Sequence, residues 1–225
     1  MVCSGGLFQN VSLNNEILNS GLFKKVFFSM SASDSGLSLG AAQYIWAKKK
    51  KNFKKNLTFQ SPYIGPSFKS LEIEDMLKKY RLNYSFENNV QKSVAKLIAR
   101  GFVVGWFQGK AEFGPRSLGN RSILADPRKL VSKSRVNQLL KKRDWFMPYA
   151  PSIMYEYLKD WSLTNFYSPY MQVAMQIKKN KAELVPAAVH IDGSSRVHCV
   201  KKKNNYKYWL LINEFKKITG IPLIL

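Results

Sequence analysis

The segment from Gly109 to Arg128 constrains the fold most, because an apolar stretch, Phe102 to Gln108, leads directly into it. This segment contains three glycines, two prolines, one lysine and three arginines. Glycines let backbone N–H groups approach an anion closely, and lysine and arginine neutralise its charge. The sequence therefore predicts a strand that ends in a phosphate-binding loop.

A second interpretation of this segment stays open. The Walker A pattern GxxxxGK[ST] is absent from it, so the usual nucleotide-binding loop is not indicated. The segment could instead be a basic surface loop in which Glu112 and Asp126 pair with the arginines.

The arginine residues of this basic chain are concentrated in the same region. The net charge is +22, from 28 Lys and 8 Arg against 14 acidic residues, and a lysine-rich bias of this kind can follow from genome base composition. The arginines are distributed differently, since five of the eight fall within one window of 28 residues. They are Arg116, Arg121, Arg128, Arg135 and Arg143. Arginine presents a rigid fork of donors that suits phosphate oxygens, so chemistry is expected in this window.

Helical and strand patterns alternate along the chain, which predicts an α/β fold with mixed (α+β) sheets. We expect helices from near Asn10 and over about 37–47, 70–82, 90–98, 132–141 and 206–219. We expect strands over about 26–28, 102–108, 170–177, 197–201 and 221–225. Pro62, Gly65 and Pro66 mark a boundary after a basic linker.

The longest apolar runs are far shorter than the roughly 20 residues that span a bilayer, and no secretory signal is indicated. We therefore expect a cytoplasmic protein with no membrane partner. Cys3 and Cys199 lie in no CxxC pair, so both are expected to be small buried side chains rather than zinc ligands or a disulfide.

Two further clusters could carry chemistry. Asp34, in a turn of small residues, could reach a metal or a nucleotide hydroxyl, or it could simply cap the helix that follows. His190 and Arg196 flank a polar turn that suits the edge of an active site, although a histidine beside Asp192 is often a structural pair.

The run Glu112 to Arg128, EFGPRSLGNRSILADPR, resembles the signature of the carbamoyltransferase family that includes nodulation proteins and cephalosporin O-carbamoyltransferases. The chain is also similar to this family in further segments, in the same order. These are GGLFQN at 5–10, SDSG at 33–36, YIGPS at 63–67, RDWFMPYAP at 143–151 and HIDGSSR at 190–196.

The resemblance implies two domains. Residues 1–59 would be the last part of an actin-like ATPase-fold domain, and residues 60–225 would be a YrdC-like domain. In this family the YrdC-like domain joins ATP and carbamoyl phosphate into carbamoyl-adenylate and releases pyrophosphate. The actin-like domain then transfers the carbamoyl group to an acceptor hydroxyl of a sugar or natural product.

The resemblance also implies roles for individual residues. Catalytic electrostatic stabilisation would come from Lys110, Arg116 and Arg121. Substrate and nucleotide contacts would come from Asn120, Ser122, Arg128, Arg143, His190, Arg196, Gly5, Gly6 and Asn10. Asp34 would be a metal ligand, with Mg or Fe as the divalent metal of the intact enzyme.

Three departures from the family pattern accompany these expectations. The histidines expected to share the metal with Asp34 would precede Met1, so a separate chain that supplies the missing amino-terminal half is an expected partner, beside the small-molecule acceptor. Met147 stands where arginine is common, and His198 stands where glutamine is common. A non-catalytic RNA- or polyanion-binding module and an inactive gene fragment remain the alternatives, although the composition makes nucleic acid the less favoured partner.

Overall fold

The computed structural model describes residues 1–50, 61–137 and 149–225, and these residues form an α/β structure with mixed sheets. The helices are α1 (Val11–Asn19), α2 (Ser35–Lys49), α3 (Ser70–Lys79), α4 (Val90–Ala99), α5 (Leu130–Arg135), α6 (Leu158–Trp161), α7 (Lys179–Ala182) and α8 (Tyr206–Thr219). The strands are β1 (Val2–Cys3), β2 (Phe27–Phe28), β3 (Val104–Phe107), β4 (Arg121–Leu124), β5 (Ser152–Met154), β6 (Ala174–Gln176), β7 (Ser194–Arg196), β8 (His198–Val200) and β9 (Leu223–Ile224).

The strands pair in four small sheets. Strands β1 and β2 are parallel, whereas β3 and β4 form an antiparallel pair, as do β6 and β7. Strand β5 lies at the centre of a three-stranded sheet, parallel to β8 and antiparallel to β9. The predicted α/β class is therefore confirmed.

Helix α8 contributes one face of buried side chains to the core. Its buried residues Tyr208, Leu211, Ile212 and Phe215 follow the spacing of one helix face, which packs against α4. The Oδ1 atom of Asn205 accepts a hydrogen bond from the Tyr208 N–H at 3.3 Å, and Gly220 ends the helix with a φ of 77°. The predicted helix 206–219 is thus confirmed at both ends.

The first fifty residues are joined to the rest of the chain by buried polar contacts. The Asn14 side-chain amide donates to the backbone carbonyls of Phe8 at 2.8 Å and of Gln172 at 2.7 Å, and Gln172 donates in turn to the Ser29 carbonyl. A smaller apolar cluster centred on Met30 and Leu118 lies beside these contacts. Such bonds compensate the cost of burying amides and so orient the two parts specifically.

Several expected elements differ in extent. The strand expected over 170–177 forms only over Ala174–Gln176, because Met171 adopts a left-handed φ of 56° that interrupts extended backbone. Within the predicted phosphate-binding loop Gly109 to Arg128, residues Arg121–Leu124 form strand β4. The expected helix 132–141 is α5, which begins at Leu130, and its final residues lie outside the described part, as does the expected domain boundary at 59/60.

Within the described ranges, no helix is both long enough and apolar enough to cross a membrane. Cys3 and Cys199 are both buried free thiols, as expected. Burial raises the pKa of the Cys199 thiol to about 12, so this thiol stays protonated and unreactive at neutral pH.

Candidate functional site

A cavity of about 130 Å³ lies where β4, the start of β5 and the end of β7 converge. Its polar walls come from four distant parts of the chain: Arg116 with Ser117 and Ser122, Tyr149 with Ser152, Arg196, and Tyr208 of α8. Two guanidinium groups and several hydroxyl groups therefore face one small space. That combination suits a compact anion that also carries polar groups.

Glu112 folds the segment that forms one wall of this cavity. Its Oε1 atom accepts hydrogen bonds from the backbone N–H groups of Leu118 at 2.7 Å, Asn120 at 2.8 Å and Arg121 at 3.2 Å. Three donors on one carboxylate oxygen hold residues 118–121 in a tight turn before β4 begins. The alternative in which Glu112 pairs with an arginine is therefore wrong among the described contacts.

Gly119 allows this turn to lie against Tyr208. Its φ is 94°, and a β-carbon placed on residue 119 would lie 2.2 Å from Cδ1 of the Tyr208 ring. The Gly119 N–H donates to Ser122 Oγ at 3.1 Å, which also orients the Ser122 hydroxyl at the cavity wall. Glycine is required here both by the backbone conformation and by the close approach.

Arg116 and Arg196 are the predicted residues that the structure brings together with Ser122. Both arginines are half-buried and line the cavity, although they stand 80 positions apart in the chain (196 less 116). Burial strengthens the attraction of guanidinium groups for an anion, because the surrounding dielectric constant is lower than in water. This convergence is the main electrostatic feature of the site.

Asn120 is buried, and its side-chain atoms are engaged within the protein. Its Nδ2 donates to the Lys110 carbonyl at 2.7 Å, and its Oδ1 accepts from Gln108 at 2.7 Å and from Asn205 at 2.9 Å. These bonds tie the turn before β4 to the start of α8. The Lys110 side chain is exposed and is not among the residues that line the cavity.

Arg121 directs its donors at backbone carbonyl groups rather than into the cavity. Its Nη1 donates to Gln108 at 2.6 Å and to Asn120 at 2.9 Å, and its Nη2 donates to Gly109 at 3.1 Å and to Pro66 at 3.3 Å. Its guanidinium also lies 3.6 Å from the ring centroid of Phe107. In this structure Arg121 therefore fastens the β3–β4 connection.

Arg128 forms an ion pair with a buried carboxylate. Its Nε and Nη2 atoms donate to Asp126 at 2.9 Å and 2.7 Å, and Nη2 also donates to the Ala99 carbonyl at 3.1 Å. The hydrogen bond to Asp126 raises the pKa of Arg128. Arg128 does not line the cavity, so the alternative in which Asp126 pairs with an arginine is confirmed.

Ser152 and His198 are site residues that sequence reasoning did not select. The Ser152 hydroxyl lies at the cavity wall, 3.0 Å from Nδ1 of the fully buried His198. Burial lowers the pKa of His198 to about 3, so its imidazole is neutral at physiological pH. The His198 ring stacks on Tyr208 with centroids 6.2 Å apart. In the sequence, Ser152 and His198 stand among apolar residues, a pattern that does not indicate a functional site.

His190 belongs to the tight turn that precedes β7. Its backbone N–H donates to the Ser194 carbonyl at 2.8 Å, and Asp192 accepts from the Ser194 N–H at 2.9 Å, which lowers the pKa of Asp192. Burial lowers the pKa of His190. His190 is not among the residues lining the cavity; its turn positions β7, and β7 carries Arg196 to the cavity wall.

The predicted residues of the first fifty do not line the cavity. Asn10 caps α1 by accepting from the Leu13 N–H at 3.1 Å, and the Cβ positions of Gly5 and Gly6 face open space. Their neighbours Gln9 and Val11 nevertheless line a smaller cleft, of about 20 Å³, and Arg116 is also among the residues that line it. Arg143 lies outside the described residues.

Asp34 precedes α2 in an exposed position, and its side chain forms no capping hydrogen bond. Across residues 1–50, 61–137 and 149–225, no group of three or more His, Cys, Asp or Glu side chains could hold a metal ion. These described residues alone do not fit a divalent metal.

Comparison with known proteins shows which family has a sequence similar to this chain. Residues 95–225 match the family model described as "Carbamoyltransferase C-terminus". That match contains β3, β4 and every residue that lines the cavity.

Whole-chain relatives agree with the family match. The chain is similar to nodulation protein NolNO of Sinorhizobium fredii, with 37% identity over 99% of this chain and 33% of that protein. It is similar to nodulation protein NolO of Bradyrhizobium diazoefficiens, with 35% identity over 99% of this chain and 41% of that protein. It is also similar to nodulation protein U of Rhizobium fredii, with 30% identity over 98% of this chain and 36% of that protein. The chain thus spans between a third and about two fifths of the length of these relatives.

Proposed function

Because the chain belongs to the carbamoyltransferase family, we propose that it takes part in transferring a carbamoyl group from carbamoyl phosphate to an acceptor hydroxyl in an ATP-dependent reaction. The acceptor is a small molecule, a sugar or a natural product. The proposal includes the division into an actin-like segment, residues 1–59, and a YrdC-like domain, residues 60–225.

The convergence of Arg116 and Arg196 on one cavity carries this proposal. A cavity of about 130 Å³ is similar in size to an engineered cavity of about 150 Å³ that binds benzene, so it suits one small molecule of the size of carbamoyl phosphate. The whole of ATP is larger, so its remaining parts would extend toward the cleft lined by Gln9 and Val11, which shares Arg116 with the cavity. The two arginines would bind phosphate oxygens, and Ser122 would add a hydrogen bond.

The proposed reaction proceeds in three steps: cleavage of carbamoyl phosphate, adenylation and transfer. Water cleaves carbamoyl phosphate to carbamate and inorganic phosphate, and a carbamate oxygen then attacks the α-phosphorus of ATP. Pyrophosphate leaves, and carbamoyl-adenylate remains. The acceptor hydroxyl next attacks the carbamoyl carbon, loses its proton and displaces AMP. Negative charge develops on phosphoryl oxygens in the adenylation step, where Arg116 and Arg196 would stabilise it.

The other predicted residues hold different places in this proposal. Lys110 is exposed beside the turn and would add positive charge near the site, while the substrate contact of Arg143 stays a prediction. Arg121, Arg128 and Asn120 would support the site by fastening the turn and β4, since their donors engage protein groups. The divalent metal that the family implies stays a prediction.

The experiment that tests this proposal is ATP–pyrophosphate exchange, with and without carbamoyl phosphate. We expect exchange that depends on carbamoyl phosphate, and a loss of at least about 100-fold in the Arg116→Ala and Arg196→Ala variants, as for loss of a stabilising donor. Arg100→Ala removes an exposed arginine at the end of α4 and should retain the wild-type rate.

Calorimetric binding of carbamoyl phosphate provides a second readout that needs no turnover. A folded wild-type protein that neither binds carbamoyl phosphate nor catalyses exchange would contradict the proposal. Binding by general surface charge would weaken steeply with added salt and would not distinguish Arg116→Ala from Arg100→Ala.

A further inference from the structure

The hydroxyl of Ser152 is held between two buried aromatic side chains at the wall of the cavity. On one side lies His198 Nδ1, at 3.0 Å from Ser152 Oγ. On the other lies the buried Tyr208, which also lines the cavity. Ser152 itself is only 3% exposed, so its remaining hydrogen-bonding capacity is directed at the cavity.

The number of hydrogen-bonding positions on Ser152 decides what it presents to a ligand. A hydroxyl has one donor and two acceptor positions. The buried imidazole is neutral, so its Nδ1 can accept the Ser152 proton across the 3.0 Å that separates the two atoms. With that bond formed, Ser152 Oγ presents only acceptor positions to the cavity.

We propose that Ser152 is a specificity-determining residue whose oxygen accepts a hydrogen bond from an N–H group of the ligand, with His198 as the positioning residue that removes the competing Ser152 donor. This inference rests on the proposed function, and it assigns an orientation within the cavity. The phosphate faces Arg116 and Arg196, and the carbamoyl NH₂ faces Ser152.

This arrangement discriminates between ligands of equal shape. Acetyl phosphate differs from carbamoyl phosphate in having a methyl group where the latter has NH₂. A methyl group would leave the buried lone pair of Ser152 without a partner, and such a loss is costly because water is excluded. The site should therefore bind the acetyl compound more weakly than carbamoyl phosphate, although both anions suit the arginines.

The test compares two stable analogues, phosphonoacetamide and acetonylphosphonate, in which a methylene replaces the labile bridging oxygen. Calorimetry on the wild-type protein should show about tenfold tighter binding of the amide, the effect of one buried hydrogen bond. Ser152→Ala should weaken the amide by about the same factor and leave the methyl ketone unchanged. Ser134→Ala, an exposed serine of α5, should change neither affinity.

Variants of His198 test the positioning role separately. His198→Gln offers a carbonyl oxygen that can accept the Ser152 proton, so it should keep the preference for the amide. His198→Leu offers no acceptor and should reduce it. In addition, ¹⁵N NMR of the wild-type ring should report a neutral imidazole with the proton on Nε2.

The outcomes separate this inference from the proposed function. If both analogues bind but Ser152→Ala weakens them equally or weakens neither, the specificity role is overturned while the anion site stands. A proton on Nδ1 would also overturn it. If the folded wild-type protein binds neither analogue and does not bind carbamoyl phosphate, the proposed function fails and this inference fails with it.

Discussion

The backbone of Gly119 lies so close to the Tyr208 ring that a β-carbon on residue 119 would be 2.2 Å from Cδ1 of the tyrosine. This contact joins the turn before β4 to helix α8, and Tyr208 in turn lines the cavity. The spacing between strand and helix at the site therefore depends on the absence of a side chain at one position.

Replacement of Gly119 by alanine should destabilise the protein markedly. The added methyl group must displace a buried ring, and the left-handed φ of 94° disfavours any L-residue, so we expect a loss of about 2–4 kcal/mol of unfolding free energy. Urea denaturation measures it. Gly40→Ala is the control, because Gly40 lies in α2 with open space around its Cβ position and should be neutral or slightly stabilising. Equal stability of the two variants would contradict the packing.

Replacement of Glu112 by glutamine should weaken the hydrogen bonds that hold the turn at residues 118–121, while the backbone conformation of the turn is kept. A neutral amide oxygen accepts backbone N–H groups less strongly than a carboxylate, so we expect a loss of about 1–3 kcal/mol. The matched control is Glu183→Gln, since Glu183 is exposed after α7. Hydrogen exchange should locate the effect: the N–H groups of Leu118 and Asn120 should exchange faster in the Glu112 variant only. Unchanged protection of these two amides would argue against the role of Glu112.

Replacement of Arg128 by alanine should act on stability, because Asp126 is fully buried and would lose its ion-pair partner. An uncompensated buried carboxylate costs about 3–5 kcal/mol. The exposed Arg100→Ala should stay within about 0.5 kcal/mol of wild type. A double variant, Asp126→Leu with Arg128→Leu, should recover part of the loss, since no charge then remains buried. Full stability of Arg128→Ala, with weakened ligand binding, would instead favour a direct role in the site.

The sequence predicted those elements whose signals are local. Helix α8 carries an apolar face, a capping Asn205 and a terminal Gly220 within one stretch, so both of its ends were predictable. Strand β5 has only three residues, all buried, and pairs with His198 and Ile224 far along the chain. A strand of three residues is too short to show the alternation of apolar and polar side chains that predicts a strand. Its pairing with β8 and β9 depends on the whole fold.

The same distinction applies to the site. Arg116 was selected from the arginine-rich window, Arg196 from its polar turn and Ser122 from the family resemblance, and all three line the cavity. Arg121 and Arg128 carry the same local signal, but their donors are engaged by carbonyl groups and by Asp126. Ser152 and Tyr208 carry no local signal, because their proximity arises only when β5 and α8 pack together. The sequence thus identifies candidate residues. Their tertiary contacts decide which of them line the cavity and which hold the surrounding backbone in place.

Acid should destabilise the protein through His198. Its pKa is about 3 in the folded state and about 6.5 in an unfolded chain, so between these values only the unfolded state binds the proton. The stabilisation is therefore complete above pH 6.5 and declines toward pH 3, by up to about 1.4 kcal/mol per pH unit. Urea midpoints at pH 7 and pH 4.5 measure this decline.

His190 and Asp192 change the stability in the same direction, so the decisive comparison is His198→Gln. This variant lacks the titrating ring, and its unfolding free energy should fall less steeply with decreasing pH than that of the wild type. Identical slopes would mean that His198 is accessible to protons in the folded state.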